Sequence, residues 1–231
     1  MKLLLTSNGL CNESIRQALR GMVDRPTSQL KMVFVPTGAN PVRSDKTWLV
    51  DDISRAKSMG WQSFDVVDIA VVAGWPKELW WGVFADADVI MFCGGHAQYL
   101  SYWLEESGLM KALPAMLQNK VYVGISAGSM VATQSLAMTS LRLNKQYGDG
   151  KDRDSRHAPQ DQVSEATIGL TTILFRPHYN SPDFPLISED FMRKVAADHE
   201  QPIYIADDET AVRIIDGRAD VVTEGKWLLL F

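Results

Sequence analysis

Short apolar runs at residues 3–6, 32–36, 64–69, 89–93 and 121–125 alternate with longer amphipathic stretches. The runs are bounded by Gly, Pro or Asn, are rich in β-branched and aromatic residues, and are too short for helices. An apolar run without strict polar alternation is a strand buried on both faces. The stretches between them read as helices. One runs from residue 13 to about 23 behind Asn12, whose side-chain oxygen can accept from free first-turn amides. Others lie at 47–59, 98–107 and 111–118. This repetition predicts an α/β fold with a mostly parallel sheet covered on both faces, a three-layer α/β/α sandwich. Further strands are expected at 172–175, 203–206, 211–215, 221–223 and 227–230. The last three are joined by Asp216-Gly217 and Glu224-Gly225 turns, which predicts an antiparallel C-terminal extension finishing the same sheet.

With 231 residues, no internal repeat and no linker, the chain reads as a single domain over 1–231. Hydrophobic residues at 46% and charged residues at 22% describe a chain that builds a core. A net charge of −5 argues against a nucleic-acid partner, which would call for a basic face. No run reaches the roughly 18 apolar residues of a membrane span. The apolar start stops at Thr6-Ser7-Asn8-Gly9 and reads as a first strand rather than a secretion leader. Two cysteines, Cys11 and Cys93, cannot make a disulfide framework, so a reducing, cytoplasmic setting is expected. No metal is expected, because the histidines are scattered and neither His-x-x-x-His nor Cys-x-x-Cys occurs. No phosphate-loop or dinucleotide motif occurs either, so no cofactor is expected. Residues 143–165 are polar and aperiodic, which predicts a long loop closing over the site as a lid. Trp75, Trp80 and Trp81 are read as packed, the commoner fate of aromatics, with a homodimer surface or a cover for the site as the alternatives.

The segment Val121-Tyr122-Val123-Gly124-Ile125-Ser126-Ala127-Gly128 runs an apolar strand into Gly-x-Ser-x-Gly and then into a stretch that reads as helix to about residue 138. This is the setting of a nucleophile elbow, where a serine stands at the tip of a strand-to-helix turn. The helix amides behind it, that of Ala127 first, can donate to an oxyanion. A serine nucleophile needs a base and an acid to orient it. His178 emerges just past a strand, on the sheet edge where sites form in α/β folds. His157 and His199 read as surface residues, whereas His96 follows Gly94-Gly95 near the same edge. The acid is sought in Asp207-Asp208-Glu209, again at a strand end. Gly95 is the candidate second oxyanion donor, since paired glycines permit close backbone approach. Cys93 is a rival nucleophile, but it ends an apolar strand and reads as buried and inert.

Taken together, Gly94-Gly95, Gly124–Gly128, Pro177-His178-Tyr179 and Asp208-Glu209-Thr210-Ala211 resemble the peptidase E family of serine peptidases, which includes cyanophycinase. The resemblance runs in strand order from about residue 3 to residue 231. It implies a fold like that of class I glutamine amidotransferases, with serine in place of cysteine. It also implies Ser126 as nucleophile, His178 as general base and then acid, and Asp208 as the triad acid with Glu209 second. The oxyanion hole would be formed by Gly95 and Ala127. His96, Glu209 and Asn180 are the candidate substrate contacts, His96 standing where the family usually has Asn. Neither Arg176 nor Arg193 matches the arginine with which the aspartyl dipeptidases of the family read their substrate, so an Asp-X preference is not carried over. Asp207, Asp208, Glu209, Glu189 and Asp190, near the expected site, further argue against an acidic substrate. The expected activity is a dipeptidase-like hydrolysis of small peptides through an acyl-enzyme. The alternatives are a non-peptidase amidase or acyl hydrolase, and a catalytically silent ligand-binding protein.

Overall fold

The computed structural model describes residues 1–148 and 158–231. The chain runs through β1 (Lys2–Thr6), α1 (Glu13–Met22), β2 (Lys31–Val35), α2 (Thr47–Lys57), β3 (Ser63–Val66), α3 (Ile69–Val72) and α4 (Trp81–Asp86). It continues through β4 (Val89–Phe92), α5 (Ala97–Glu106), α6 (Leu109–Met116), β5 (Val121–Ile125), α7 (Ala127–Ala132) and α8 (Ser140–Tyr147). It ends with β6 (Leu174–Arg176), α9 (Glu189–Ala196), β7 (Ile203–Ala206), β8 (Thr210–Ile215), β9 (Arg218–Thr223) and β10 (Trp227–Leu230).

The main sheet has the order β3-β2-β4-β5-β1-β8-β9. Strands β3, β2, β4, β5 and β1 run parallel, β8 adds antiparallel to β1, and β9 adds antiparallel to β8. Side chains alternate between its faces, and both faces are buried. Leu3, Leu5, Val33, Val35, Ile90 and Phe92 pack with α4 to α7 on one side. Leu4, Met32, Phe34, Met91 and Val123 pack with α1 and α2 on the other. The expected three-layer α/β/α sandwich is therefore present, and the unbroken apolar runs follow from burial on two sides.

Several expected boundaries move for local reasons. The run at 64–69 is a strand only to Val66, because Asp68 caps α3, accepting from the Ala70 amide and the Thr37 hydroxyl. The helix after Ser126 stops at Ala132 instead of near residue 138. Thr133 turns extended, and its hydroxyl bonds the Met130 and Ser135 carbonyls. A new helix, α8, then starts at the Thr139 cap and takes residues 143–147 out of the expected loop. Of the rest of the expected lid, residues 149–157 lie outside the described residues, as does His157, and 158–165 are neither helix nor strand, the Ser164 amide donating to the Gln98 carbonyl at 3.0 Å.

The C-terminal meander is the main correction. Strands β8 and β9 do finish the main sheet, but β10 pairs with β7 in a second sheet of order β10-β7-β6. This small sheet has its own apolar cluster, with Leu174, Ile203, Ile205 and Leu230 against Met192 and Val195 of α9. Turn residues predict that neighbouring strands reverse, but not which strand each then pairs with. Of the three tryptophans, Trp80 is core at 3% exposure, edge-on to Trp81 and Phe84, whereas Trp75 is exposed. Among the described residues no helix is long and apolar enough to cross a membrane.

One core-facing group opposes stability. Asp52 on α2 is 4% exposed and its Oδ1 has no hydrogen-bond partner. Burial pushes its carboxyl up to about 7, against a partial pull from Arg55 and with a small push from Asp51. The folded chain thus keeps a proton up to about pH 7 that the unfolded chain releases near pH 4. Between these limits the folded state binds more protons, so stability falls as pH rises. Asp52→Asn is expected to flatten that fall and to be more stable than the wild type at pH 8 by on the order of 2–4 kcal/mol, read from urea midpoints at pH 5 and pH 8. Equal pH slopes in the two proteins would exclude this role for Asp52.

Candidate active site

The C-terminal ends of β4, β5 and β6 open into one cleft, which Gly95 and His96, Ser126, and Pro177 and His178 line in turn. Ser126 sits between β5 and α7 with φ 47° and ψ −105°, a conformation that side-chain-bearing residues rarely adopt. Its amide donates to the Thr6 carbonyl at 2.9 Å, and its own carbonyl accepts from the Ser129 and Met130 amides at 3.0 Å each. The motif glycines explain why the turn fits. A Cβ on Gly124 would run into the backbone of Ser129, and one on Gly128 into the Phe92 carbonyl. The helix therefore lies directly on β5 and β4, with its first turn behind Ser126.

His178 follows β6 by two residues, also at positive φ (64°). Its Nε2 is 2.9 Å from Ser126 Oγ and its Nδ1 is 2.6 Å from Asp208 Oδ1. A carboxylate only accepts, so Nδ1 carries the hydrogen and the lone pair of Nε2 faces the serine. The imidazole lies flat on Phe184, with centroids 4.3 Å apart and planes 5° from parallel. Burial works to raise the Asp208 carboxyl. The hydrogen bond and charge of His178, together with the Ser7 hydroxyl, outweigh it and hold the group below its ordinary value.

The turn 207–210 separates the three acidic neighbours. Asp207 Oδ1 accepts from the Glu209 amide and the Thr210 hydroxyl, and its Oδ2 accepts from the Lys226 amide. With Asp207 closing the turn, Asp208 faces His178 and the Glu209 side chain is exposed. Glu209 does not line the cleft, and neither does exposed Asn180, whose amide donates to the Ile187 carbonyl at 3.0 Å. His96 does line it, 8% exposed, and its Nδ1 accepts from the Tyr99 amide as the cap of α5. His199 lies away from the cleft lining.

Gly94 and Gly95 form the opposite lip. A Cβ on Gly94 would touch that of Ser126, and Gly95, at φ 122°, packs against the Gly38 backbone with no room for a side chain. Neither the Gly95 nor the Ala127 amide has an acceptor among the described residues. Cys93 is fully buried, and burial pushes its thiol far above its ordinary value, so it offers no thiolate. Arg176, set aside in the sequence, forms part of the wall: it is 1% exposed and donates to the Met138 carbonyl at 2.8 Å and the Ser140 hydroxyl at 3.2 Å. Arg193 is exposed on α9 and pairs with Glu189. Of the acidic residues expected near the site, Asp208 meets His178 behind the cleft, Asp207 closes its own turn, Glu209 is exposed and Glu189 pairs with Arg193.

Sequence reasoning missed Ser7. It is fully buried, its hydroxyl donates to Asp208 Oδ1 at 2.8 Å, and it accepts from the His178 amide at 2.9 Å. The signal was available: Ser7 immediately follows the apolar run of β1, the strand-end position that singled out Ser126 and His178.

The model of peptidase family S51 matches residues 3–222. The chain belongs to peptidase family S51. It is an enzyme of the serine-peptidase type. Solved structures agree on the fold. A Listeria monocytogenes EGD-e protein provisionally assigned to peptidase E superposes with a TM-score of 0.72 at 19% identity, covering 97% of this chain and 98% of its own. A peptidase from an acI-B1 actinobacterium gives 0.66 at 19% identity, covering 99% of this chain and 90% of its own. No curated protein sequence matches the chain.

The close contact of α7 with β4 makes a direct test of the elbow. Gly128→Ala in this S51 peptidase is expected to lose about 1–3 kcal/mol by denaturant unfolding as helix and strand part. The displaced helix would also take Ser126 out of reach of His178, so hydrolysis should drop together with stability.

Proposed function

We propose that this S51 peptidase hydrolyses short peptides, in the manner of a dipeptidase, with Ser126 as nucleophile, His178 as general base and Asp208 as the orienting acid. The reading is carried by one observation: an unbroken line of hydrogen bonds from Ser126 Oγ through His178 to Asp208 Oδ1 at 2.9 and 2.6 Å. Ser126 Oγ attacks the scissile carbonyl carbon while its proton passes to Nε2. The carbonyl oxygen takes the negative charge and is met by the Gly95 and Ala127 amides, each worth about 3–4 kcal/mol to the transition state. The imidazolium then gives its proton to the leaving amine as the C–N bond breaks, leaving an acyl ester on Ser126. Water repeats the sequence, with His178 again as base, and frees the acid and the serine. Asp208, ionised throughout, fixes the tautomer and balances the imidazolium.

The starts of α5 and α8 and Phe184 line the cleft beside Ser126 and His178, and the cleft is read as a site for short peptides. The family resemblance in the sequence points the same way.

A dipeptide library with Ser126→Ala as the blank tests the substrate class: cleavage by the wild type alone is expected. Turnover of simple esters with no dipeptide cleaved would reject the peptidase substrate. Ser126→Ala should lose all labelling by a fluorophosphonate probe. Asp208→Asn should keep the fold and lose about 10³–10⁴-fold in kcat. Equal labelling of Ser126→Ala and wild type would remove Ser126 as the nucleophile.

A further inference from the structure

The end of β1 holds more of the site than its lack of a catalytic group suggests. Thr6 accepts the Ser126 amide, the Ser7 amide donates to the Thr210 carbonyl at 3.3 Å, and the Ser7 hydroxyl reaches both other members of the hydrogen-bonded line. A hydroxyl has one hydrogen and two lone pairs. With the hydrogen directed at Asp208 Oδ1, a lone pair is left for the His178 amide. Ser7 Oγ also lies 3.4 Å from His178 Nδ1, beside the bond from that nitrogen to the same carboxylate oxygen.

Two features give this arrangement a function. His178 is in the left-handed region, where a residue with a side chain is strained, so its backbone needs an external tie to stay there. Asp208 is only partly buried, its side chain being 39% exposed, and one bond to the imidazole would not fix its rotamer. Ser7, rigid at the end of a central strand, supplies the tie and the second bond with a single atom.

We propose that Ser7 is a positioning residue of the hydrolytic site, which holds the His178 backbone and the Asp208 carboxylate in register so that Nε2 faces Ser126. The proposal rests on the reading of Ser126, His178 and Asp208 as the triad. Ser7 takes no proton from substrate and makes no bond to it. Its effect therefore belongs in kcat and in the rate at which Ser126 is acylated, not in KM.

The test compares wild type, Ser7→Ala, Ser7→Thr and Ser126→Ala by fluorophosphonate labelling and by cleavage of a dipeptide that the library identifies. Ser7→Ala is expected to slow both labelling and kcat by about 10- to 100-fold, the loss that follows when a hydrogen bond to a charged group is removed, with KM within threefold. Ser7→Thr, which keeps the hydroxyl, should recover most of the rate. Should Ser7→Ala not fold, Ser7→Cys replaces it, filling the site with a weak donor and giving the same expected loss. The low-field proton signal of the His178–Asp208 bond should shift in the slowed variant, which a merely structural defect elsewhere would not cause.

Wild-type rates in folded Ser7→Ala, or a Ser7→Thr protein as slow as Ser7→Ala, would overturn the proposal while leaving the triad intact. Labelling of wild type that equals that of Ser126→Ala would instead bring down the triad, and the Ser7 proposal with it.

Discussion

The closeness of α7 to the sheet is the constraint on which the site depends. The helix lies on β4 and β5 with backbone facing backbone, at a separation that admits glycine and nothing larger at two positions. A helix seated that low must begin within one residue of the strand's end, and Ser126 occupies the one residue of turn that remains. Its positive φ is thus imposed by packing. The same geometry turns the first-turn amides toward the cleft, because a helix that starts abruptly leaves those donors without internal acceptors. The strain at Ser126 and the Ala127 amide left without an internal acceptor both follow from one close approach.

Strain of this kind persists only where surrounding bonds overdetermine it. Ser126 is held from both sides, through its amide to Thr6 and through its carbonyl to α7. The Ser129 hydroxyl also reaches the Thr6 carbonyl, so β1 and α7 are pinned at the same atom. His178 is also held at both ends of its backbone, its amide by the Ser7 hydroxyl and its carbonyl by the Ser181 amide at 3.3 Å, and its ring stacks on Phe184. The adjoining Tyr179 amide is tied to the Ala206 carbonyl at 3.0 Å.

Much of this could be read from the residue string. The parallel half of the sheet was legible because burial on both faces leaves strands as plain apolar runs. The elbow was legible because two glycines bracketing a serine between strand and helix have few other physical uses. What escaped depended on contacts between distant segments. Nothing local distinguishes a β10 that extends the main sheet from one that pairs with β7, since its turn is the same in both cases. The orientation of 207–209 depended on Lys226, nineteen residues beyond Asp207, supplying the amide that closes the turn. Ser7 meets its two partners across separations of 171 and 201 residues, and no spacing rule reaches that far. The early end of α7 escaped for the opposite reason. Threonine hydroxyls competing for backbone carbonyls decided it, on a scale finer than hydrophobic periodicity resolves.

The second sheet has a bearing on how such an enzyme loses activity. Ser126 follows a strand of the large sheet, whereas His178 follows the three residues of β6 in a small sheet most of whose apolar side chains form a second cluster, Phe175 and Ala206 joining the main core. Regions with smaller cores open at lower free energy than the molecule as a whole. Fluctuation of the small sheet would withdraw His178 while Ser126, α7 and the Gly95 and Ala127 amides stay assembled. Warming would then silence such a protein reversibly, well before its main core melts. On the proposed reading of the triad, the dormant form would keep Ser126 in place with no group to take its proton.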